Sequence, residues 1–324
     1  MAVFTELSSE DIAALLERYT LGTLTNAHGI AEGVENTNYL ITVMLDGMEK
    51  RYILTIYEKR VKREDLPFFT GLLRHLAGRG IACPLPIEDR HGTVIQALKG
   101  KPAVVSSFLE GASSDAIQGE HVKALGTALA ELHLAGEGYG TVRENNLSPT
   151  RLRPLLEQIG PSINDIEPSL CDALSDDITV LEDLDTSQLP CGVIHADLFP
   201  DNVFFDAQGR ISGIIDFYFA CTDALIVDLA ICMNAWCFDA SHRFDAARAR
   251  CLLQHYHHVR PITQDEWDIL PLIARGAAMR FLLTRAQDWL IPSSHALITP
   301  KNPDEYIAKW RFHRHINHYR HYEL

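Results

Sequence analysis

Val193-Ile-His-Ala-Asp-Leu-Phe-Pro-Asp-Asn-Val-Phe-Phe205, followed shortly by Gly213-Ile-Ile-Asp-Phe217, decides the reading of this chain. Apolar, strand-like runs deliver polar residues into two short loops, His195, Asp197 and Asn202 from the first and Asp216 from the second. Phosphoryl transfer asks a protein for positioning and for neutralisation of charge rather than for covalent help, so it needs two oxygen ligands close to one carboxylate base. An Asn after Pro-Asp is by itself an ordinary turn former, and a lone Asp an ordinary solvated charge. Four such residues in order, in strand-loop-strand context, are not explained by turns.

The spacing from Asp197 to Asn202 is that of the protein-kinase catalytic loop, and Asp216-Phe217 matches the start of its D-F-G. From His195 to Ala230 the segment more closely resembles the aminoglycoside phosphotransferase and choline kinase-like superfamily, with H-x-D-x-x-x-x-N, then I-D-F, then D-L-A at Val227-Asp-Leu-Ala230. Too few residues separate Asp216 from Asp228 for a phosphorylatable activation segment, and no A-P-E follows. That favours a small-molecule kinase over a protein kinase. The resemblance implies a bilobal, protein-kinase-like α+β fold. Its amino-terminal, nucleotide-binding lobe is a small antiparallel sheet (residues 1–108), and its carboxyl-terminal catalytic and substrate lobe is mainly helical (residues 109–324).

Composition agrees with that class. The 324 residues are 47% hydrophobic and 22% charged, enough for a sizeable core. A net charge of −14 argues against nucleic acid and anionic membrane surfaces as partners, which select clustered Lys and Arg. Seven scattered cysteines without a C-x-x-C pair read as reduced, buried thiols of a cytoplasmic protein. The first residues lack a basic and apolar leader pattern, and no run approaches a membrane span.

Along the chain, Ser8 or Ser9 caps a helix with Ile12, Leu15, Leu16 and Tyr19 on one face, ending near Thr20-Leu-Gly22. Residues 36–44 and 51–57 alternate and are joined by Asp46-Gly47, the signature of a hairpin. Just before it, Gly29-Ile-Ala-Glu-Gly-Val-Glu-Asn36 lies where kinase-like folds carry a glycine loop, making Gly33 and Asn36 nucleotide-side candidates; a plain turn reads equally well. Thr55 stands where a phosphate-binding cation is expected, with Lys59 or Arg60 as nearby alternatives. A helix is expected from Leu66 to Leu76 with Pro67 in its first turn, Glu64 being a candidate bracing glutamate. Asp89-Arg-His-Gly92 reads as a hairpin turn between short strands. Ala103 to Glu110 is the expected connector, where backbone near Ser106 and Phe108 would meet an adenine edge, or equally an edge strand entering a loop.

Helices dominate the remainder. A long amphipathic one begins at Glu120, with His133 as a packed side chain, and helical pieces fall within residues 145–190. Arg280, among Ala277, Met279, Phe281 and Leu283, requires a partner: an internal carboxylate or a substrate carboxylate. In the tail, His315, His318 and His321 fall at helical spacing, but without Cys or acidic companions they read as a solvated helix rather than a metal site.

Gly33-Val-Glu-Asn-Thr-Asn-Tyr39, Tyr52-Ile-Leu-Thr-Ile-Tyr-Glu-Lys59, Gly80-Ile-Ala-Cys-Pro84 and the two catalytic phrases together resemble the homoserine kinases built on the aminoglycoside phosphotransferase-like fold, over nearly the whole chain. The resemblance implies transfer of the ATP γ-phosphate to the homoserine hydroxyl with Mg²⁺. Asp197 would be the base, Asn202 and Asp216 the metal ligands, and His195 and Asp228 supports of the loop. A kinase for another small alcohol, such as choline, methylthioribose or an aminoglycoside, and a nucleotide-binding pseudokinase are the alternatives.

Overall fold

A computed structural model describes residues 4–30, 36–58, 61–291 and 300–322. Two compact units divide the chain, residues 1–110 with 213–218, and residues 111–212 with 219–324. The first is therefore discontinuous in sequence.

In the first unit, helix α1 (Ser9–Leu16) starts at Ser8, whose hydroxyl and Asp11 form a reciprocal capping box. It ends earlier than the periodicity predicts, because Arg18 and Tyr19 switch to bonds three residues back, onto Leu15 and Leu16. Strands β1 (Thr23–Gly29), β2 (Thr37–Leu45) and β3 (Met48–Ile56) follow, with Asp46 at φ 51° and Gly47 at φ 77° forming the turn expected of an Asp-Gly hairpin. Helix α2 spans Leu66–Ala77 with Pro67 in its first turn, as expected. Strands β4 (Gln96–Leu98) and β5 (Lys101–Ser107) complete an antiparallel sheet of order β1-β2-β3-β5-β4. Across it, Tyr39, Leu54 and Val105 lie in one register row and face the same core as Ile41, Ile56 and Ala103. The α1 residues Ile12, Leu15, Leu16 and Tyr19 close that core.

Two expectations are corrected here. Asp89 does make a turn, its carboxylate accepting from the His91 and Thr93 amides at 2.8 Å, but no strands flank it. The hairpin turn is instead Lys99-Gly100, both at positive φ. Glu64 is exposed and lies in a single 3-10 turn before α2 rather than on the helix itself.

The second unit is mainly helical: α3 (Gly119–Gly136), α4 (Arg153–Ile159) and α5 (Leu170–Glu182) precede strand β6 (Cys191–Ile194). Strands β7 (Val203–Phe205) and β8 (Ile211–Ile214) form a two-stranded sheet, and β9 (Cys221–Ala224) pairs antiparallel with β6. Helices α6 (Ile226–Trp236), α7 (Ala246–Val259), α8 (Gln264–Leu290) and α9 (Asp304–Arg314) complete it. Gly126 lets α3 and α7 meet closely: a Cβ there would stand 2.5 Å from the Leu252 carbonyl oxygen. Helix α6 is buried on nearly every side, which is why its sequence shows no polar face. The tail is corrected too. The helix stops at Arg314, and the amides of His315 and Ile316 turn back three residues, so His315, His318 and His321 do not share a helical face. Among the described residues no cluster of three His, Cys, Asp or Glu is arranged to hold a metal ion, and no helix is long and apolar enough to cross a membrane.

Candidate active site

In the second unit, β6 runs straight into the loop that carries His195, Asp197 and Asn202. Ala196 sits at φ 62°, a left-handed conformation that costs an L residue about 1–2 kcal/mol. Two buried charged side chains hold it there. Asp228, in the first turn of α6, accepts from the Ala196 amide at 2.7 Å and from the His195 amide at 2.6 Å. Arg280 of α8 donates through Nη1 to the Ala196 carbonyl at 2.5 Å. Strain at one residue, gripped on both sides, is how a rigid scaffold aims a reactive side chain.

Asp228 is fully buried and depends on its neighbours. Burial by itself would raise its carboxyl; His133, and His195 through its ring and its amide, more than offset this and hold it below its ordinary value. His133 offers Nε2 to Asp228 at 3.2 Å and Nδ1 to the Tyr256 hydroxyl at 2.7 Å. Arg260 donates to the same hydroxyl at 3.0 Å and to Glu266 at 2.9 Å, and Glu266 closes the capping box that starts α8. A continuous polar chain thus joins the start of α8 to the loop. Asp228, expected from the sequence to support the loop, accepts from two of its backbone amides. Trp236 Nε1 donates to the Leu198 carbonyl at 2.8 Å and fixes the far side; nothing in the linear sequence signals that contact.

Within the loop, the Asp197 carbonyl accepts from Phe199 N at 2.9 Å and from Asn202 Nδ2 at 2.8 Å, while His195 Nδ1 accepts from Asp197 N at 3.2 Å. His195 is wholly buried and shapes the turn. Asn202 uses its amide nitrogen on the loop, so its oxygen is the end left to act as a ligand.

Arg280 is 2% exposed, its guanidinium 4.6 Å from the Phe281 ring and 5.5 Å from that of Phe219. Burial lowers its pKa, against the attraction of Asp197. The hydrogen bond of its guanidinium goes not to an internal carboxylate but to a loop carbonyl.

The first unit carries Asp216. The Ile214 amide donates to the Ala82 carbonyl at 2.8 Å, and Tyr218 meets Tyr57 and Phe69 edge-on, with centroids at 5.4 and 6.0 Å. Asp216, at φ 64°, is thereby built into this unit in the left-handed conformation that Asp tolerates better than most residues. Elsewhere in the unit, Asn36 is buried and its side-chain oxygen accepts from the Glu58 amide at 3.3 Å. Thr55, at the expected cation position, donates to Asn38 at 2.7 Å. A lysine does stand near the end of β3: Lys101 pairs with Glu58 and with the Thr5 hydroxyl. Ser106 is buried inside β5, registered with Ile53 on one side and bridged to Pro86 on the other, so the segment is a strand, but an interior one between β3 and β4 rather than the expected edge strand. Phe108 lies beyond the strand, beneath the Arg51 guanidinium at 4.3 Å. Gly33, Lys59 and Arg60 lie outside the described residues.

A five-stranded antiparallel sheet, a helical second unit and a His-x-Asp loop pinned by a buried Asp are the features of a small-molecule phosphotransferase. The chain belongs to the phosphotransferase enzyme family, which matches residues 26–262. It is 50% identical over 319 residues to the curated homoserine kinase of Paramagnetospirillum magneticum, covering 97% of each chain. To the homoserine kinase of Xanthobacter autotrophicus it is 48% identical over 324 residues, covering 100% of this chain and 99% of that one. Among solved structures, an amicoumacin kinase in complex with AMP-PNP, Ca²⁺ and its ligand has the same fold, with a TM-score of 0.70 at 18% identity over 96% of this chain and 93% of that one.

Proposed function

We propose that this protein is an ATP-dependent homoserine kinase, transferring the γ-phosphoryl group to the side-chain hydroxyl of L-homoserine in the cytoplasm as a step of threonine biosynthesis. The observation that carries this reading is the full-length identity of about half to curated homoserine kinases, in a chain whose motif residues are all present.

Asp197 is the base: its carboxylate orients the acceptor hydroxyl and takes its proton as the oxygen bonds to the γ-phosphorus, and the strained, doubly held Ala196 beside it keeps the carboxylate in place. His195 fixes the turn from within. The donor set suits Mg²⁺, since Asn202 offers an amide oxygen and Asp216 a carboxylate, the hard ligands that this ion selects. When bound, the metal neutralises charge developing on the phosphate oxygens. Residues 1–108 are assigned to the nucleotide, with Gly33, Asn36, Ser106 and Phe108 as its candidate contacts, and residues 109–324 to catalysis and the acceptor. Arg280 we assign to holding the catalytic loop.

A coupled ADP-release assay over homoserine, choline, methylthioribose and an aminoglycoside tests the substrate, with homoserine expected to dominate. In the same assay Asp197→Asn should retain ATP binding and lose about 10²-fold or more in kcat. Near-normal turnover would remove Asp197 from the mechanism, and indifference to homoserine would remove the substrate.

A further inference from the structure

A cavity of about 370 Å³ opens within the second unit beside the catalytic loop, bordered by Phe199 and Asp201 of the loop, Asp115, Arg285 of α8, and Lys301 and Glu305 near the start of α9. Its volume is at the small end of the range for ligand sites, roughly 300–1,000 Å³, which suits a compact acceptor. Its walls carry both signs of charge.

Glu305 is shared by two cations, accepting from Arg285 Nη1 at 2.6 Å through one oxygen and from Lys309 at 2.5 Å through the other. The Arg285 and Lys309 side chains are only 12% and 4% exposed. Among the described residues these two largely buried cations share one carboxylate, a setting that favours an arriving anion. Of the two, Arg285 borders the cavity and Lys309 does not. Arg285 lies 4.4 Å over the Tyr306 ring, Tyr306 meets Phe281 at 5.3 Å, and Phe281 meets Phe199 at 4.9 Å. A line of ring contacts therefore runs from Phe199, which borders the cavity two residues beyond Asp197, through buried Phe281 and Tyr306 to this guanidinium. At the loop end Asp201 is exposed, with Lys301 3.9 Å away.

We infer that this cavity receives a zwitterionic amino-acid acceptor, with Arg285 anchoring its α-carboxylate and Asp201 facing its ammonium group; the inference rests on the homoserine reading and deepens it. The role considered for Arg280 falls to a residue five positions further along the same helix, and Glu305 and Lys309 hold its guanidinium in place. A planar guanidinium takes a carboxylate through two parallel bonds, whereas an acceptor without that group gains nothing from it.

Steady-state kinetics with homoserine and 3-aminopropan-1-ol, identical but for the carboxylate, provide the test. Wild type should prefer homoserine strongly in kcat/KM. Arg285→Met should raise the KM for homoserine about ten- to a hundredfold, leave the KM for ATP unchanged and act little on aminopropanol, so that the preference collapses. Arg285→Lys should recover part of it. A folded Arg285→Met enzyme that keeps the wild-type preference overturns the role of Arg285 while leaving homoserine as substrate. Wild type that uses both acceptors equally overturns the carboxylate anchor without any variant, and wild type inert to homoserine overturns this inference and the functional reading together.

Discussion

Ala196 is gripped on both sides, its amide and its carbonyl each held by a buried ion from a different helix. Asp228→Asn tests how much rests on that grip. An amide in place of the carboxylate must turn an N–H toward the donors at His195 N, Ala196 N or His133, leaving a buried donor without an acceptor, at a cost of about 1–3 kcal/mol. The expected outcome is a stability loss of that size in urea unfolding, with kcat reduced about tenfold or more; unchanged turnover would show that the loop holds its shape unaided. The sequence made Asp197, Asn202, Asp216 and Asp228 legible because they fall in fixed order within 32 residues. Arg280 was legible as a cation needing a partner, but its partner is a carbonyl 84 residues away, and no spacing rule reaches that far.

At the scale of elements, turns and caps followed local chemistry. Ser8 capped α1, Asp46-Gly47 closed β2 onto β3, and Pro67 opened α2, each set by backbone preferences of neighbouring residues. The tail did not follow its pattern. The periodic histidines His315, His318 and His321 stay outside α9, while His313, two residues before the first of them, is buried between α6 and the last turn: Nε2 meets the Asn234 side-chain oxygen at 3.0 Å and Nδ1 the Tyr322 hydroxyl at 2.7 Å. Asn234 donates its own nitrogen to Ala230 and Ala274, so the imidazole is the donor to its oxygen and is held neutral. Burial, with Arg275 and Lys309 nearby, pushes His313 from 6.5 down to about 3. Between those values the unfolded chain binds a proton that the folded protein refuses, so stability rises with pH across the window and falls on acidification. Wild type should lose up to about 1.4 kcal/mol per pH unit from this group below pH 6.5. In urea titrations from pH 8 to 4, His313→Gln should show a shallower acid slope, and an identical slope in both proteins would refute the assignment.

For the whole molecule, the seven cysteines give a readout of the fold. All are free thiols; Cys83, Cys221, Cys232 and Cys237 are buried, Cys171 and Cys251 half-buried and Cys191 exposed, so the expectation of buried thiols holds for four of the seven. Burial raises Cys83 and Cys221 to about 12 and pushes Cys232 and Cys237 up as well, which removes the reactive thiolate. Titration of native protein with an aromatic disulfide should label Cys191 first, Cys171 and Cys251 more slowly, and the remaining four only in denaturant. Rapid native reaction of all seven would contradict the two cores. The sequence by itself determined the phosphotransfer motif, the antiparallel sheet and the helical remainder, because hydrophobic period, turn chemistry and motif spacing are properties of neighbours along the chain. Only the tertiary structure decided that residues 213–218 join the first unit, that Arg280 serves the loop backbone, and that Arg285 and Lys309 share one carboxylate. Those outcomes depend on which buried charges meet after folding, and burial makes each such meeting decisive while leaving no periodic trace in the chain.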